Sequence, residues 1–359
     1  MTDCERPNGK TRFYDSLQKW KEVITAVPDT DAGAYLKVLS IITLSQYLHE
    51  FESGKKNPYP ELTEAMDIQT RYMELFLGFS VFKNSNVNRA IDQTLTANHL
   101  YETAWTSYSD ATYDHSLSLA HKRLKANNIN ESFLTGKRVI DVGCGTGRFA
   151  IALAQLGASE SIGIDIGTKS ILFAEKQKKR FGISNVYFHE MAAADIQFPD
   201  GSFDLIISNG VLHHIDNTEG GITEHLRILK EGGTFWLYLY GKNALVWEIY
   251  DTFKDVIQKI PYHQAMEISN RFGLIEEKFY LFSDNVYTPI RKYFSYADVE
   301  KMLSCCCEYE YDILNGATGD DDVTGLLSQP YGKVFWGEEG EVRMKIKKIR
   351  SKGIPSKGC

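Results

Sequence analysis

Three stretches near the beginning of the chain repeat apolar residues at the spacing of an amphipathic helix. The first stops at Pro28 and carries these apolar side chains on one face: Phe13, Leu17, Trp20, Ile24 and Val27. The second covers residues 32–51 and the third residues 61–82, each followed by a polar segment. The pattern predicts a helical region over residues 1–98, and nothing in that region points to chemistry.

From residue 137 onward, short apolar runs alternate with helical stretches. The runs RVIDVG, ESIGIDI, NVYFHE, FDLIISN and TFWLYLY are rich in Val, Ile, Leu and aromatic residues, and they predict five strands. Between them lie helical stretches such as FAIALAQL and SILFAEKQKKRF. Strands that alternate with helices form crossover units, so the sequence predicts an α/β fold with a doubly wound parallel sheet.

Beyond the fifth run the spacing becomes helical again. VWEIYDTFKDVIQKIP ends at Pro261, and a later helix begins where Ser295 and Asp298 are spaced as a capping pair. EYEYDIL and EVRMKIK predict two final strands. We therefore predict a helical insertion at residues 243–294 that covers the substrate. The last helix and strands of the α/β core follow at residues 295–349, and a basic tail at residues 350–359.

Composition and charge restrict the function classes. The 359 residues are 43% hydrophobic and 24% charged, as in ordinary globular chains, and the net charge of -7 argues against a nucleic-acid partner. We recognise no secretory signal and no stretch apolar enough to span a membrane. Six cysteines without a CxxC pair favour a reducing, cytoplasmic location and predict no metal site. The sequence leaves the oligomeric state open.

A glycine-rich loop follows the first predicted strand in VIDVGCGTGRFA, residues 139–150. A dinucleotide fingerprint would read G-x-G-x-x-G. Here the glycines are Gly143, Gly145 and Gly147, and Arg148 stands where the third glycine of that fingerprint belongs. Backbone without Cβ atoms lets a ligand approach closely, and the N–H groups at the start of the next helix suit a carboxylate as well as a phosphate.

An acid ends the second predicted strand and strengthens this interpretation. Asp165, in SIGIDIG, can accept both hydroxyl groups of a ribose, and Ile166 beside it can pack on an adenine face. A ribose site without the pyrophosphate spacing indicates a nucleoside that carries an amino-acid tail.

Residues 137–242 resemble the class I S-adenosylmethionine-dependent methyltransferases in several motifs that occur in the same order. VIDVGCGTGRFA is similar to their first motif, SIGIDIG to the ribose motif, and DIQFPDGSFDLIISNGVLHHI to the block that follows. HLRILKEGGTFWLYLYG resembles the strand-five motif, with Glu231 in place of its proline. The V-L-H-H run is similar to a branch that acts on small molecules. The resemblance implies a Rossmann-like seven-stranded sheet and S-adenosylmethionine as cofactor, bound by residues 99–242.

The resemblance also assigns residues to the cofactor. Asp141 would orient the methionine amino group, the loop would approach the methionine and ribose, and Asp165 would hold the ribose. The assigned residues are Asp141, Gly143, Cys144, Gly145, Gly147, Asp165, Ile166, Ala193, Asn209 and Tyr113. The family often places an acid before the alanine that meets the base. This chain has Ala192 there, and Asp195 is the alternative contact.

Two histidines, His213 and His214, follow the fourth predicted strand, at the edge where open α/β sheets place their ligands. Either is a candidate general base. The alternative is a structural role in which a neutral imidazole bonds to backbone, and we favour that role for at least one of the pair.

Three residues near the end of the predicted insertion are candidates for the acceptor: Tyr287, Arg291 and Tyr293. Arg291 suits a substrate carboxylate or phosphate, and pairing with a structural acid such as Asp284 is the equally weighted alternative. The acidic run at residues 320–322 is interpreted as an exposed loop.

Together these features predict a methyltransferase that acts on oxygen or nitrogen, less readily carbon, of a small molecule. The alternatives are an RNA or protein methyltransferase, a nicotinamide-dependent oxidoreductase, which Arg148 disfavours, and a cofactor-binding subunit without catalysis.

Overall fold

The structure, a computed structural model, describes residues 7–78, 108–273, 276–316 and 322–352. The chain divides into two compact units. The helical unit consists of Met1–Leu95, Asn243–Thr288 and Leu326–Glu338, and the α/β unit consists of Thr96–Lys242, Pro289–Gly325 and Glu339–Cys359. The predicted boundary at residues 98 and 99, two of the three acids at residues 320–322, and most of the predicted basic tail lie outside the described residues.

The described helices and strands follow one another from the N-terminal helices into the sheet. The helices are α1 (Pro7–Ala26), α2 (Asp31–His49), α3 (Pro58–Gly78), α4 (Asp110–Ala126), α5 (Glu131–Leu134), α6 (Arg148–Gln155), α7 (Thr168–Arg180), α8 (Thr218–Ile228), α9 (Leu245–Ile257), α10 (Tyr262–Arg271), α11 (Glu276–Tyr287), α12 (Tyr296–Cys306), α13 (Val323–Leu327) and α14 (Gly332–Trp336). The strands are β1 (Arg138–Val142), β2 (Glu160–Asp165), β3 (Val186–Glu190), β4 (Phe203–Asn209), β5 (Leu229–Leu239), β6 (Cys307–Ile313) and β7 (Val342–Ser351).

One seven-stranded sheet runs through the α/β unit in the order β3-β2-β1-β4-β5-β7-β6. Strands β1 to β5 pair in parallel, whereas β7 pairs antiparallel with both β5 and β6. The predicted Rossmann-like α/β fold and its seven strands are confirmed. The sheet is mixed rather than fully parallel, because β7 enters between β5 and β6 in the opposite direction.

Both faces of this sheet are covered by helices, which explains why its strands are apolar runs. One core joins the sheet to α4, α6 and α7 through residues such as Leu117, Leu153 and Phe173. The other core joins it to α8 and α12, through residues such as Ile222 and Leu303. The loops at the carboxyl ends of β1, β2, β4 and β5 therefore extend from a rigid platform.

In the helical unit, segments far apart in sequence share one core. Helix α1 packs against α3, and α2 packs against both α9 and α10. Trp20 of α1 is fully buried, and its ring lies 5.7 Å from that of Phe253 in α9. Trp336 Nε1 of α14 donates to the carbonyl of Glu52 at 2.8 Å. Residues 243–288 thus pack with the N-terminal helices, and their predicted role as a substrate cover stays a prediction.

Within the described ranges, no helix is long and apolar enough to cross a membrane. The cytoplasmic location stays a prediction.

Candidate functional site

The glycine loop between β1 and α6 depends on backbone that other residues rarely adopt. Gly143, Gly145 and Gly147 have φ angles of +71°, +50° and +80°. A Cβ on Gly143 would lie 2.4 Å from Val211 Cγ2, and one on Gly147 would lie 2.7 Å from Phe188 Cζ. A Cβ on Gly145 would meet nothing within 4 Å. Two glycines are therefore needed for packing, and the third borders open space where a ligand can approach.

The end of β2 holds this loop in place. Asp165 accepts the backbone N–H of Gly145 on Oδ2 and that of Gly167 on Oδ1, both at 2.9 Å. The N–H groups of Gly143 and Cys144 donate to the carbonyl of Ile164 at 2.8 and 2.9 Å. Each carboxylate oxygen has two lone pairs, so Asp165 can hold the loop and still accept ribose hydroxyls.

Asp141 lies beneath the loop and is only 2% exposed. Burial raises the pKa of its carboxyl to about 7, against the opposing effect of Arg148 and of the backbone N–H of Ala150. Its Oδ2 has no hydrogen-bond partner among the described residues. A buried carboxylate oxygen without a donor is costly, and a ligand ammonium group would satisfy it.

These observations fit S-adenosylmethionine. Asp141 offers a buried acceptor for the amino group. The N-cap of α6, Gly147, has no side chain to cap the helix, so the N–H groups at the start of α6, other than that of Ala150, are left for the carboxylate. Asp165 faces the space beside Gly145. Ile166 follows it with 44% of its surface exposed, so a base can cover this apolar side chain.

A pH dependence follows from Asp141. The pKa of a carboxyl in an unfolded chain is about 3.9, so the raised value of about 7 favours the folded state at low pH, and this contribution is lost as pH rises through 7. We expect Asp141→Asn, which has the same shape without the charge, to remove this part of the slope. As the pH rises through 7, the affinity for S-adenosylhomocysteine should increase in the parent protein but not in the Asp141→Asn variant. Urea unfolding and calorimetry at several pH values measure both effects, and parallel curves for the two proteins would contradict the assignment.

Three other predicted cofactor residues, Tyr113, Cys144 and Asn209, have uncharged side chains. Tyr113 is fully buried, and its hydroxyl donates to the carbonyl of Thr146 at 3.2 Å, so it supports the loop from below. Cys144 is also buried, which raises the pKa of its thiol. Asn209 Oδ1 accepts Trp236 Nε1 at 3.1 Å.

Ala193, in the loop after β3, is 9% exposed, while Ala192 and Asp195 are exposed. Direct contacts of these residues and of Tyr113, Cys144 and Asn209 with the cofactor stay predictions.

The two histidines occupy different environments in the short turn after β4. His213 is fully buried, its ring stacks on that of Tyr240 at 3.8 Å, and its Nδ1 accepts the N–H of Tyr240 at 3.3 Å. Burial, together with His214 and Arg291, holds the pKa of His213 well below its usual range. His213 is therefore a neutral ring bonded to backbone, which supports the structural role.

His214 is half-buried, and its Nδ1 lies 2.8 Å from the carbonyl of Ile290. A carbonyl only accepts, so this contact puts a proton on Nδ1 and the basic lone pair of the neutral ring on Nε2. His214 is therefore the better candidate for a base.

The difference between the histidines predicts different effects on stability. We expect His213→Ala to lower the free energy of unfolding by about 1–3 kcal/mol, because the N–H of Tyr240 loses its acceptor. His214→Ala should cost less, since its ring is half-exposed. Thermal unfolding without cofactor measures both, and His213→Phe separates the lost hydrogen bond from the lost volume. If both alanine variants unfold like the parent protein, the structural role is wrong and both residues become catalytic candidates.

A segment that we call the strap, residues 290–294, connects the histidine turn to the end of β5. Lys292 N–H donates to the carbonyl of His213 at 3.0 Å, and Phe294 N–H donates to that of Tyr240 at 2.9 Å. Two acceptor candidates, Arg291 and Tyr293, lie on this strap. The structure therefore brings them near the histidine turn within one unit.

The third acceptor candidate, Tyr287, belongs to the helical unit. It is buried there, and its hydroxyl donates to the carbonyl of Ile260 at 3.0 Å. Its role toward an acceptor stays a prediction.

Sequence reasoning missed Tyr240, which contacts both histidines. The alternation of Trp236, Tyr238 and Tyr240 in TFWLYLY puts three aromatic side chains on one face of the strand, and this signal could have identified it. Among the described residues, no group of three or more His, Cys, Asp or Glu side chains could hold a metal ion.

Comparisons with known proteins support the methyl-transfer chemistry that the sequence motifs imply. A family model described as a methyltransferase domain matches residues 134–288. The uncharacterized methyltransferase YcgJ of Bacillus subtilis is 34% identical over 28% of this chain and 39% of its own. An arsenite methyltransferase of Aquipseudomonas alcaligenes is 36% identical over 29% of this chain and 33% of its own. A demethylmenaquinone methyltransferase of Tropheryma whipplei is 37% identical over 27% of this chain and 39% of its own.

The match spans less than half the length of each of these relatives. The family-model match at residues 134–288 contains the glycine loop, the acid at the end of β2 and the histidine turn, and the seven-stranded sheet agrees with the predicted class. Residues 134–288 therefore match a methyltransferase domain, and the motifs within them resemble the class I, S-adenosylmethionine-dependent type.

Proposed function

We propose that this protein transfers a methyl group from S-adenosylmethionine to an oxygen or nitrogen atom of a small molecule. The observation that carries the proposal is the arrangement around Gly145. Open space borders this glycine, Asp165 lies on one side of it, and beneath the loop lies a buried Asp141 oxygen that has no donor in the described part of the chain. An adenosine that carries an amino-acid tail satisfies all three features.

Residues of this chain would bind and orient the reactants. When bound, S-adenosylmethionine supplies a methyl group already activated by its sulfonium. Asp141 and the start of α6 hold the amino-acid end, and Asp165 holds the ribose. The protein must then align the acceptor and exclude water, and these two effects account for much of the rate in such reactions.

His214 supports oxygen or nitrogen as the acceptor atom. Its proton lies on Nδ1, toward the carbonyl of Ile290, so Nε2 carries the lone pair that can remove a proton from an O–H or N–H group. His213 would keep the turn in place through its bond to Tyr240. Arg291, on the strap, is a candidate partner for a negative group of the acceptor.

The names of the matched proteins and the net charge of the chain support a small molecule as the methyl acceptor. The matched proteins include an arsenite methyltransferase, demethylmenaquinone methyltransferases and ubiquinone biosynthesis O-methyltransferases, whose names denote small-molecule chemistry. The V-L-H-H run is consistent with that branch. The net charge of -7 disfavours RNA as the acceptor.

Calorimetry followed by a transfer assay tests the proposal. The protein should bind S-adenosylhomocysteine and not NADH. It should then move labelled methyl from S-adenosylmethionine into a small-molecule fraction of a cell extract. Label in the RNA or protein fraction would overturn the small-molecule assignment, and binding without transfer to any fraction would identify a non-catalytic subunit. Binding of NADH alone would overturn the cofactor assignment.

A further inference from the structure

A cavity of about 400 Å³ lies within the α/β unit, apart from the glycine loop. It is formed by the start of α8, the residue Lys242 after β5, the end of the strap and one face of α12. None of the predicted cofactor residues lines it. Its volume is that of a site for a small molecule, and two of its walls follow β4 and β5 at the edge where α/β sheets bind ligands.

Three lysines reach this cavity from three different elements: Lys242, Lys292 and Lys301. Lys242 forms an ion pair with Asp298, with 2.6 Å between Nζ and Oδ2. The ammonium group of Lys292 donates to the backbone carbonyl of Asp216, which holds it in place without cancelling its charge. In the described part of the chain, Lys301 forms no ion pair. Within the residues that the structure describes, two of the three positive charges are therefore not paired with a carboxylate.

Two carboxylates, Asp216 and Glu219, also line the cavity, and both side chains are exposed. Glu219 lies in the first turn of α8, where the helix N-terminus offsets part of its charge. Lys292, in contrast, is half-buried and fixed by its bond to backbone. The side chains of Phe294 and Met302 supply apolar surface. The lining thus combines a fixed ammonium group with room for an apolar body.

The cavity adjoins the histidine turn through the strap. Lys292 contributes its side chain to the cavity, while its backbone N–H donates to the carbonyl of His213 at 3.0 Å. The cavity and the histidine turn therefore share the strap, and the residues that directly follow the turn, Asp216 to Glu219, also line the cavity.

From these contacts we propose that the cavity binds the methyl acceptor through an anionic group, a carboxylate or phosphate ester, attached to an apolar body. This inference rests on the proposed function. Lys292 and Lys301 would hold the anion, and Phe294 and Met302 would contact the apolar body.

Benzoate is a suitable probe, with benzamide as its neutral counterpart and benzylamine as its cationic one. Calorimetry in the presence of S-adenosylhomocysteine should show saturable binding of benzoate and none of benzylamine. Lys301→Met and Lys292→Met should each weaken benzoate binding about tenfold, because each removes a charged hydrogen bond. Lys179→Met, an exposed lysine on α7, is the matched control and should leave binding unchanged.

Equal binding of benzamide and benzoate, binding of benzylamine instead, or unchanged affinity in both cavity variants would overturn the inference. Lys301 is exposed, so its variant keeps the test valid if Lys292→Met fails to fold. In the transfer assay, benzoate should compete with the acceptor, and the methylated product should be retained by an anion-exchange column. If S-adenosylhomocysteine binds but benzoate does not, the inference fails alone; if S-adenosylhomocysteine does not bind, the proposed function fails.

Discussion

Replacing Gly145 by alanine is expected to weaken the binding of S-adenosylhomocysteine by about a hundredfold or more, equal to about 3 kcal/mol. The added Cβ would meet no protein atom within 4 Å, so it would project into the space that the ligand needs. The positive φ of +50° should cost only about 1 kcal/mol of stability. Calorimetry and thermal unfolding of the same variant measure the two effects.

Two other glycines provide the controls for this result. Gly182 has a φ of +65° and also meets nothing within 4 Å, so Gly182→Ala reproduces the backbone cost away from the loop and should bind normally. Gly143→Ala should instead destabilise the fold, because its Cβ would lie 2.4 Å from Val211 Cγ2. If Gly145→Ala binds like the Gly182 variant, the open side of the loop is not where the ligand lies.

Replacing Asp165 by alanine should also weaken S-adenosylhomocysteine by about a hundredfold or more, since each charged hydrogen bond to a ribose hydroxyl contributes about 1.5–3 kcal/mol. The variant also removes the acceptor for the N–H groups of Gly145 and Gly167, so a loss of stability is expected as well. Asp165→Asn keeps one oxygen acceptor and should fall between the parent and the alanine variant in affinity.

A neighbouring acid separates the ribose contact from a general effect of charge. Glu190 of β3 pairs in register with Asp165, is exposed, and accepts the hydroxyl of Thr168 rather than the loop. Glu190→Gln should therefore leave affinity almost unchanged. Equal losses in the Asp165 and Glu190 variants would mean that net charge at this edge, and not the ribose contact, governs binding.

The sheet and its loop could be predicted because their signals are local. The central strands β1, β2 and β4 are short apolar runs buried on both faces, and the glycine positions reflect φ angles set within a few residues. The helical unit has no such signal. Trp20 and Phe253 meet across more than two hundred positions of sequence, and amphipathic spacing shows only that each has a buried face, not which helix covers it.

The predictions of chemical roles show the same difference between local and distant signals. The roles of Asp141, Asp165 and the glycines were predicted from motifs, whereas the contrast between His213 and His214 depends on Tyr240 and on the strap. Tyr113 was predicted to contact the cofactor, and its hydrogen bond to Thr146 shows a supporting contact that no spacing encodes. Hydrogen-bond partners on backbone far away in the chain leave no signal in the sequence pattern.

The position of β7 has a consequence for how the chain is made. Its residues come last among the strands, yet they lie inside the sheet, between β5 and β6. Until the ribosome has released residues 342–351, β5 presents an unpaired apolar edge from Thr234 to Leu239, the kind of edge at which nascent chains aggregate. A protein cut at residue 288, where the family match ends, would keep that edge permanently. Expression of residues 1–288 alone should therefore yield inclusion bodies, and soluble material requires the chain through Ser351.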